Sequence, residues 1–251
     1  MRSIDVKHIY SDRYYREQVD GCLCFDSFDG SFQSLFERYQ KNVQILGLQP
    51  NHRFLDVGCG RGEICIYHAC QGGESVGIDF SEEAITIALE KSSCCKIPPL
   101  FLAGPFQVMQ EFGGFDRILA SEFIEHISPE EGNEFMHLAW KALKPQGKLL
   151  IYTYPNTLQR RFGYSMLRLH GRIVGFPLPS EQADTLSPHY REYHLNEQNF
   201  ISLRSLAKRA GFAKYRVTYD MPEYCSLLGK LVEVSPLHHL FDTNLVLVAE
   251  K

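Results

Sequence analysis

Two groups of residues in this chain are of types and spacings that could do chemistry. The first is the run Phe54-Leu55-Asp56-Val57-Gly58-Cys59-Gly60-Arg61-Gly62-Glu63. An apolar stretch ends, three glycines alternate, and a helical pattern begins. Glycines at such a place let a ligand approach the backbone closely, and the start of a helix offers unpaired N–H groups. Asp79 ends the next apolar stretch, Ser75-Val76-Gly77-Ile78-Asp79. A carboxylate there can accept hydrogen bonds from both hydroxyls of a ribose. A glycine turn alone says little. With a correctly placed acid inside a βαβ unit, it points to a cleft for a nucleoside-containing cofactor. Dinucleotide sites space their glycines as G-x-G-x-x-G, whereas this chain has G-x-G-x-G preceded by Asp56. A nicotinamide dehydrogenase is therefore the weaker reading.

The second group is Glu122, Glu125 and His126. On a helical turn starting at Glu122 all three would share one face. Downstream, the run His189-Tyr190-Arg191-Glu192-Tyr193-His194 could bring another imidazole over the same cleft. Two carboxylates and two imidazoles could hold a divalent metal. An imidazole also titrates near neutral pH and suits a general base. The expectation adopted is a base role for His126 or His189 and no metal, with internal packing of His126 as the plain alternative.

The surrounding pattern says what must position these groups. Residues 53–57, 75–79, 99–103, 116–121 and 148–153 read as strands, separated by helical stretches. A helical pattern begins at Phe32 and stops at Gly47. Another helix starts near Glu63. Ser81 is placed to cap the next, and Ser128-Pro129-Glu130-Glu131 forms a capping box for a longer one. Pro145-Gln146-Gly147 should turn the chain into the fifth strand. A helix over Phe200–Ala210 stops at Gly211. Strands near 215–219 and 244–249 follow without a clear crossover, and read as an antiparallel pair at the sheet edge. The expected fold is α/β, a doubly wound, mostly parallel seven-stranded sheet with a C-terminal antiparallel hairpin.

The chain of 251 residues suits one domain, 1–251. Within it, 1–30 reads as an N-terminal segment and 155–195 as an insertion over the site. Hydrophobic residues make up 44% and charged residues 22%, which excludes a disordered chain. The net charge of −4 gives no support to DNA as a partner. No apolar run approaches the ~20 residues of a membrane span. The first residues turn charged at once, so the expected location is cytoplasmic. None of the eight cysteines lies in a C-x-x-C pair, which argues against a structural zinc site. Cys94-Cys95 reads as an unremarkable loop pair.

Taken together, the glycine turn, Val76-Gly77-Ile78-Asp79-Phe80-Ser81, the stretch Phe115–Ile127 and Leu143-Lys144-Pro145-Gln146-Gly147-Lys148-Leu149 resemble class I S-adenosylmethionine-dependent methyltransferases. The likeness covers roughly residues 35–251. It implies S-adenosyl-L-methionine as cofactor and a Rossmann-like methyltransferase fold. It also implies that Gly58, Gly60 and Gly62 line the methionine end of the cofactor and that Asp56 orients its polar end. Asp79 would hold the ribose and Phe80 flank the adenine. Ser121 and Glu122 would close the cleft. Cys59 counts among the lining residues as a small filler, not a nucleophile. Tyr14-Tyr15 read equally as packing or as a lid, with Tyr15 then touching the cofactor. Many relatives carry an acid after the third strand; here Leu102-Ala103-Gly104-Pro105 stands there.

The resemblance implies methyl transfer to a small molecule, and oxygen is the expected acceptor atom, as in ubiquinone-pathway O-methyltransferases. Tyr154, Phe162, Tyr164, Phe176, Tyr190, Tyr193 and Tyr224 suggest an apolar or aromatic acceptor, or simply pack the insertion. The rivals are an RNA 2′-O-methyltransferase with a metal site and a non-catalytic S-adenosylmethionine-binding protein. Residues 155–195 could instead serve as a homodimer contact.

Overall fold

The structure, a computed structural model, describes residues 11–17, 19, 21–175, 177–180, 194–220 and 238–251. Strands β1 (Arg53–Val57), β2 (Glu74–Asp79), β3 (Leu100–Ala103), β4 (Phe115–Ser121) and β5 (Leu143–Thr153) run parallel. Strands β6 (Lys214–Tyr219) and β7 (Leu245–Glu250) are antiparallel, and β7 lies between β5 and β6. The resulting seven-stranded order is β3-β2-β1-β4-β5-β7-β6. This is the expected doubly wound sheet with a reversed final hairpin.

Side chains alternate along the strands and so feed two cores. Leu55, Val57, Ile118, Ala120, Leu149, Ile151, Leu245 and Leu247 pack with α6 (Pro129–Ala142) and α8 (Phe200–Ala210). On the other face, Phe54, Leu119, Leu150, Tyr152 and Val246 pack with α3 (Glu37–Leu46), α4 (Glu63–Cys70) and α5 (Glu82–Lys91). Two short helices, α1 (Asp12–Glu17) and α2 (Cys22–Phe25), place Tyr15 and Phe25 against Ala84 and Ile87 of α5. After β5 come α7 (Tyr164–Val174) and, later, α9 (His238–Phe241). No helix among the described residues is long and apolar enough to cross a membrane.

The caps are where the sequence puts them. Ser81 Oγ accepts the Ala84 N–H, and Ser128 with Glu131 forms the reciprocal box that starts α6. Two expectations are corrected. The helix read from Phe32 begins only at Glu37. Asp29 accepts hydrogen bonds from the Ser31 amide and the Ser34 hydroxyl, and this local turn competes with helix formation. Phe32 and Leu35 are packed from that loop, so burial there mimics a helical spacing. The turn expected at 145–147 is instead an irregularity within β5, where pairing with β4 shifts register and Gln146 takes φ 65°. The C-terminal Lys251 closes it, accepting the Gln146 amide at 3.0 Å and donating to the Gly147 carbonyl at 3.1 Å.

Candidate active site

The strand order reverses between β1 and β4. Ligands in such sheets bind outside the carboxyl ends of the strands at this switch point. Here the ends of β1, β2 and β4 open into a cavity of about 1080 Å³. Residues predicted from the sequence meet in its wall: Tyr15, Asp56, Gly58, Cys59, Gly60, Asp79, Phe80, Ser121, Glu122 and His126.

The glycine turn is shaped by backbone that side chains resist. Gly58, Gly60 and Gly62 all have φ between 53° and 76°. Gly62 lies behind the wall rather than in it. A Cβ there would fall 2.4 Å from the Phe101 ring, so this glycine lets α4 start against the core. Gly60 faces the cavity side, with its nearest neighbour the Tyr15 ring, 3.9 Å from where a Cβ would be. The Gly60 amide donates to Asp79 Oδ2 at 2.9 Å, and the Ser81 amide donates to Asp79 Oδ1 at 2.9 Å. The Tyr15 phenol also hydrogen-bonds this carboxylate. Asp79 thus ties the first two loops of the sheet together.

Asp56, Glu63 and Asp79 are all buried. Burial, reinforced by Asp79 and Glu63, pushes the Asp56 carboxyl up to about 8. Burial likewise raises Asp79 and Glu63. Arg61 is buried beside them, 2.6 Å from Glu63, and also donates to the Tyr15 carbonyl at 2.9 Å. Its guanidinium lies over the Phe25 ring, so the N-terminal segment is anchored to the glycine turn. Cys59 is buried and burial raises its thiol, consistent with a filler and unsuited to attack.

Beside the glycine turn the cavity wall carries Tyr39, Phe106, Phe123, Ile127 and Leu195, with Arg38, Gln107, Glu122, His126, Glu130 and Glu131 among its polar groups. Phe106, Phe123 and Phe135 meet edge to face, with centroids 5.1–5.9 Å apart. Glu122 does not start a helical turn. It takes φ 51°, its amide donates to the Tyr152 carbonyl, and its carboxylate pairs with Arg38 at 2.5 Å. The short helix after it covers only Ile124–His126. Glu125 therefore points away, buried, accepting the Thr153 hydroxyl at 2.8 Å. Burial and the nearby Glu122 raise its carboxyl to about 8. The expected shared face of Glu122, Glu125 and His126 is absent, because a left-handed residue breaks it.

His126 lies edge-on to the His194 ring, centroids 5.0 Å apart. His189 falls outside the described residues, as do Phe176, Tyr190, Tyr193 and Tyr224. Of the described aromatics of the insertion and its approach, Tyr154, Phe162 and Tyr164 do not line the cavity; of 155–195, only Leu195 among the described residues does. The residues that sequence reasoning missed are Arg38, Tyr39, Arg61 and Gln107. Arg61 sits inside the glycine motif and carried a signal. Arg38 reaches Glu122 across 84 residues of chain, and nothing local announces that pair.

A family model described as a methyltransferase domain matches residues 32–217. The chain is 36% identical over 121 residues to YqeM of Bacillus subtilis (strain 168), 46% of this chain and 47% of that protein. It is 25% identical over 180 residues to the ubiquinone biosynthesis O-methyltransferase of Rhodopseudomonas palustris (strain HaA2), 68% of this chain and 70% of that one. The match thus spans about half the length of the first relative and more of the second. Among solved structures, magnesium protoporphyrin IX methyltransferase from Synechocystis PCC 6803, with bound SAH, superposes with a TM-score of 0.57 at 21% identity, covering 96% of this chain and 93% of that one. Phosphoethanolamine N-methyltransferase 2 of Haemonchus contortus, in complex with S-adenosyl-L-methionine, gives 0.58 at 18% identity, covering 96% and 60%. These structural likenesses establish the fold.

Proposed function

The chain belongs to the class I S-adenosylmethionine-dependent methyltransferases, and from that membership we propose that it methylates an oxygen of a small apolar or aromatic molecule. The observation that carries this reading is the cavity itself. Part of its wall is acidic and glycine-lined; another part is aromatic, with Glu122 and His126 among its polar groups.

The acidic part fits the cofactor. Asp56, Glu63 and Asp79 are buried carboxyl groups, with Arg61 paired to Glu63, and so favour a ligand that brings positive charge of its own. In this reading Asp56, with the backbone of Gly58, Cys59 and Gly60, holds the methionine end, and Asp79 takes the ribose. Phe80, partly exposed at the rim, flanks the adenine. Gly104, Pro105 and Gln107 line the wall where many relatives carry an acid, and backbone contacts there would serve instead. When bound, the cofactor supplies an electrophilic methyl on a sulfonium, so the hard chemistry is the cofactor's own.

What remains for the protein is alignment and proton removal. Glu122, held by Arg38, shapes the floor beyond β4. Phe106, Phe123, Ile127 and Leu195 exclude water from the acceptor. His126 takes the proton of the acceptor hydroxyl, with His189 as a second candidate base. Residues 1–30 act as a lid on the cofactor, which the position of Tyr14 and Tyr15 in the wall supports, and Leu195, at the end of the stretch 155–195, lies against the acceptor.

Mass spectrometry of ligands retained on purification, followed by a methyl-transfer screen of phenols, catechols, small amines and short RNAs, tests the reading. Transfer to a hydroxylated small molecule supports it. Transfer only to RNA or to nitrogen, or cofactor binding without turnover on any acceptor, overturns it.

A further inference from the structure

Three thiols converge at the end of α4 opposite the glycine turn, and methyl transfer uses none of them. Cys70 closes α4, and Cys94-Cys95 follow α5. The fold brings Cys70 to this pair across 24 and 25 residues of chain, which overturns the reading of Cys94-Cys95 as an unremarkable loop. The Cys70 sulfur lies 3.8 Å from that of Cys94 and 2.8 Å from that of Cys95, and all three lie within 4.8 Å of one another. Among the described residues, no other group of three histidine, cysteine or acidic side chains meets so closely.

Two further features mark the place. Gly30, at φ 85°, lays bare backbone against the sulfurs: a Cβ there would stand 2.8 Å from Cys70 Sγ and 3.7 Å from Cys94 Sγ. Burial is also graded, with Cys95 buried, Cys70 half-buried and Cys94 exposed. The cluster is closed toward the core and open toward solvent, as a site with an entry path must be.

We propose that Cys70, Cys94 and Cys95 form a binding site for a thiophilic d10 cation such as Zn(II). Thiolates are soft ligands that select such ions. With zinc–sulfur bonds of about 2.3 Å in tetrahedral geometry, sulfurs stand roughly 3.8 Å apart. The Cys70 and Cys94 sulfurs already have that spacing. Rotation of the Cys95 side chain brings the third into place. A disulfide would join two of these sulfurs and leave the convergence of the third without a role.

Binding forms three zinc–sulfur bonds, breaks three S–H bonds and releases three protons to solvent, with no electron transferred. The Cys95 thiol gives up its 3.4 Å contact with the Ile66 carbonyl in doing so. A water completes the coordination on the side of Cys94. The ion then ties the end of α4 to the segment between α5 and β3, the same α4 whose start carries the cofactor turn.

The test uses reduced, chelator-stripped full-length protein titrated anaerobically with Co(II), then Zn(II). One equivalent of Co(II) should give thiolate-to-metal charge-transfer absorption in the near ultraviolet. Zn(II) should abolish that band and raise the thermal midpoint. Cys94→Ser, at an exposed position, preserves the fold and should lower Zn(II) affinity by at least about tenfold, the least that even outer-shell partners cost. Gly30→Ala should weaken binding by crowding Cys70. Cys22→Ser and Cys24→Ser should leave it unchanged, and binding of S-adenosylhomocysteine checks that every variant is folded. Absence of the charge-transfer band, undiminished affinity in a Cys94→Ser, Cys95→Ser double variant, or a Cys70–Cys95 disulfide in protein whose reduced form takes up no Zn(II) would each overturn the site.

Discussion

Replacing Asp79 with asparagine separates two roles that the structure superimposes on one carboxylate. Its two oxygens accept the Gly60 and Ser81 amides at 2.9 Å each, and the Tyr15 phenol bonds it as well. A carboxylate offers about four lone-pair sites, so with three of them taken a ribose can bind through both hydroxyls only by sharing or displacing one of these partners. Asparagine keeps one acceptor oxygen and turns a donor toward the other amide. Leaving hydrogen-bonding groups unpaired costs about 1–3 kcal/mol, or roughly 5- to 150-fold in dissociation constant. Calorimetric titration with S-adenosylhomocysteine should show a loss in that range, together with a lower thermal midpoint. Ser81→Ala is the control. It removes the hydroxyl that accepts the Ala84 amide at 3.2 Å and should cost about 0.5–2 kcal/mol of stability. It should leave cofactor affinity within twofold. If Asp79→Asn lowers the thermal midpoint but keeps the affinity of the wild type, the carboxylate only braces the glycine turn, and the ribose assignment fails.

Three further outcomes follow from the same geometry. Asp56 and Glu125 hold their protons up to about 8 in the folded chain, against about 4 when unfolded. The unfolded state then binds fewer protons between those values, so stability of the ligand-free protein should fall as pH rises from about 5 to 8; thermal midpoints that stay flat, or that change equally in Asp56→Asn, Glu125→Gln and wild type, would contradict the burial argument. Tyr15→Phe removes one hydrogen bond to Asp79 while keeping the ring over Gly60, and should tighten cofactor binding by about 2- to 10-fold, a net hydrogen bond's worth; weaker binding would show that the phenol itself holds the cofactor. His126→Gln should lower turnover on the order of 10²-fold with cofactor affinity nearly intact; full turnover would mean that positioning alone drives transfer or that His189 is the base.

Local chemistry explains what could be read without coordinates. The turn Gly58–Gly62, Ser81 and the Ser128 box each act within a few residues of themselves, and Asp79 is marked by its place at the end of β2. Their types therefore declare their roles, and strand–helix alternation declares the sheet that carries them. Where local hydrogen bonds or backbone sterics outweigh hydrophobic spacing, the pattern misled. Asp29 held Ser31 and Ser34 in a turn where a helix was expected, and Glu122 took a left-handed conformation that turned Glu125 into the core. What only the tertiary structure decided are the long-range encounters: Arg38 with Glu122, Tyr15 with Asp79, and Cys70 with Cys94 and Cys95. Each joins groups from separate segments of the chain. Their meeting depends on strand order and on how helices pack across the two cores, and no spacing within a single element encodes it.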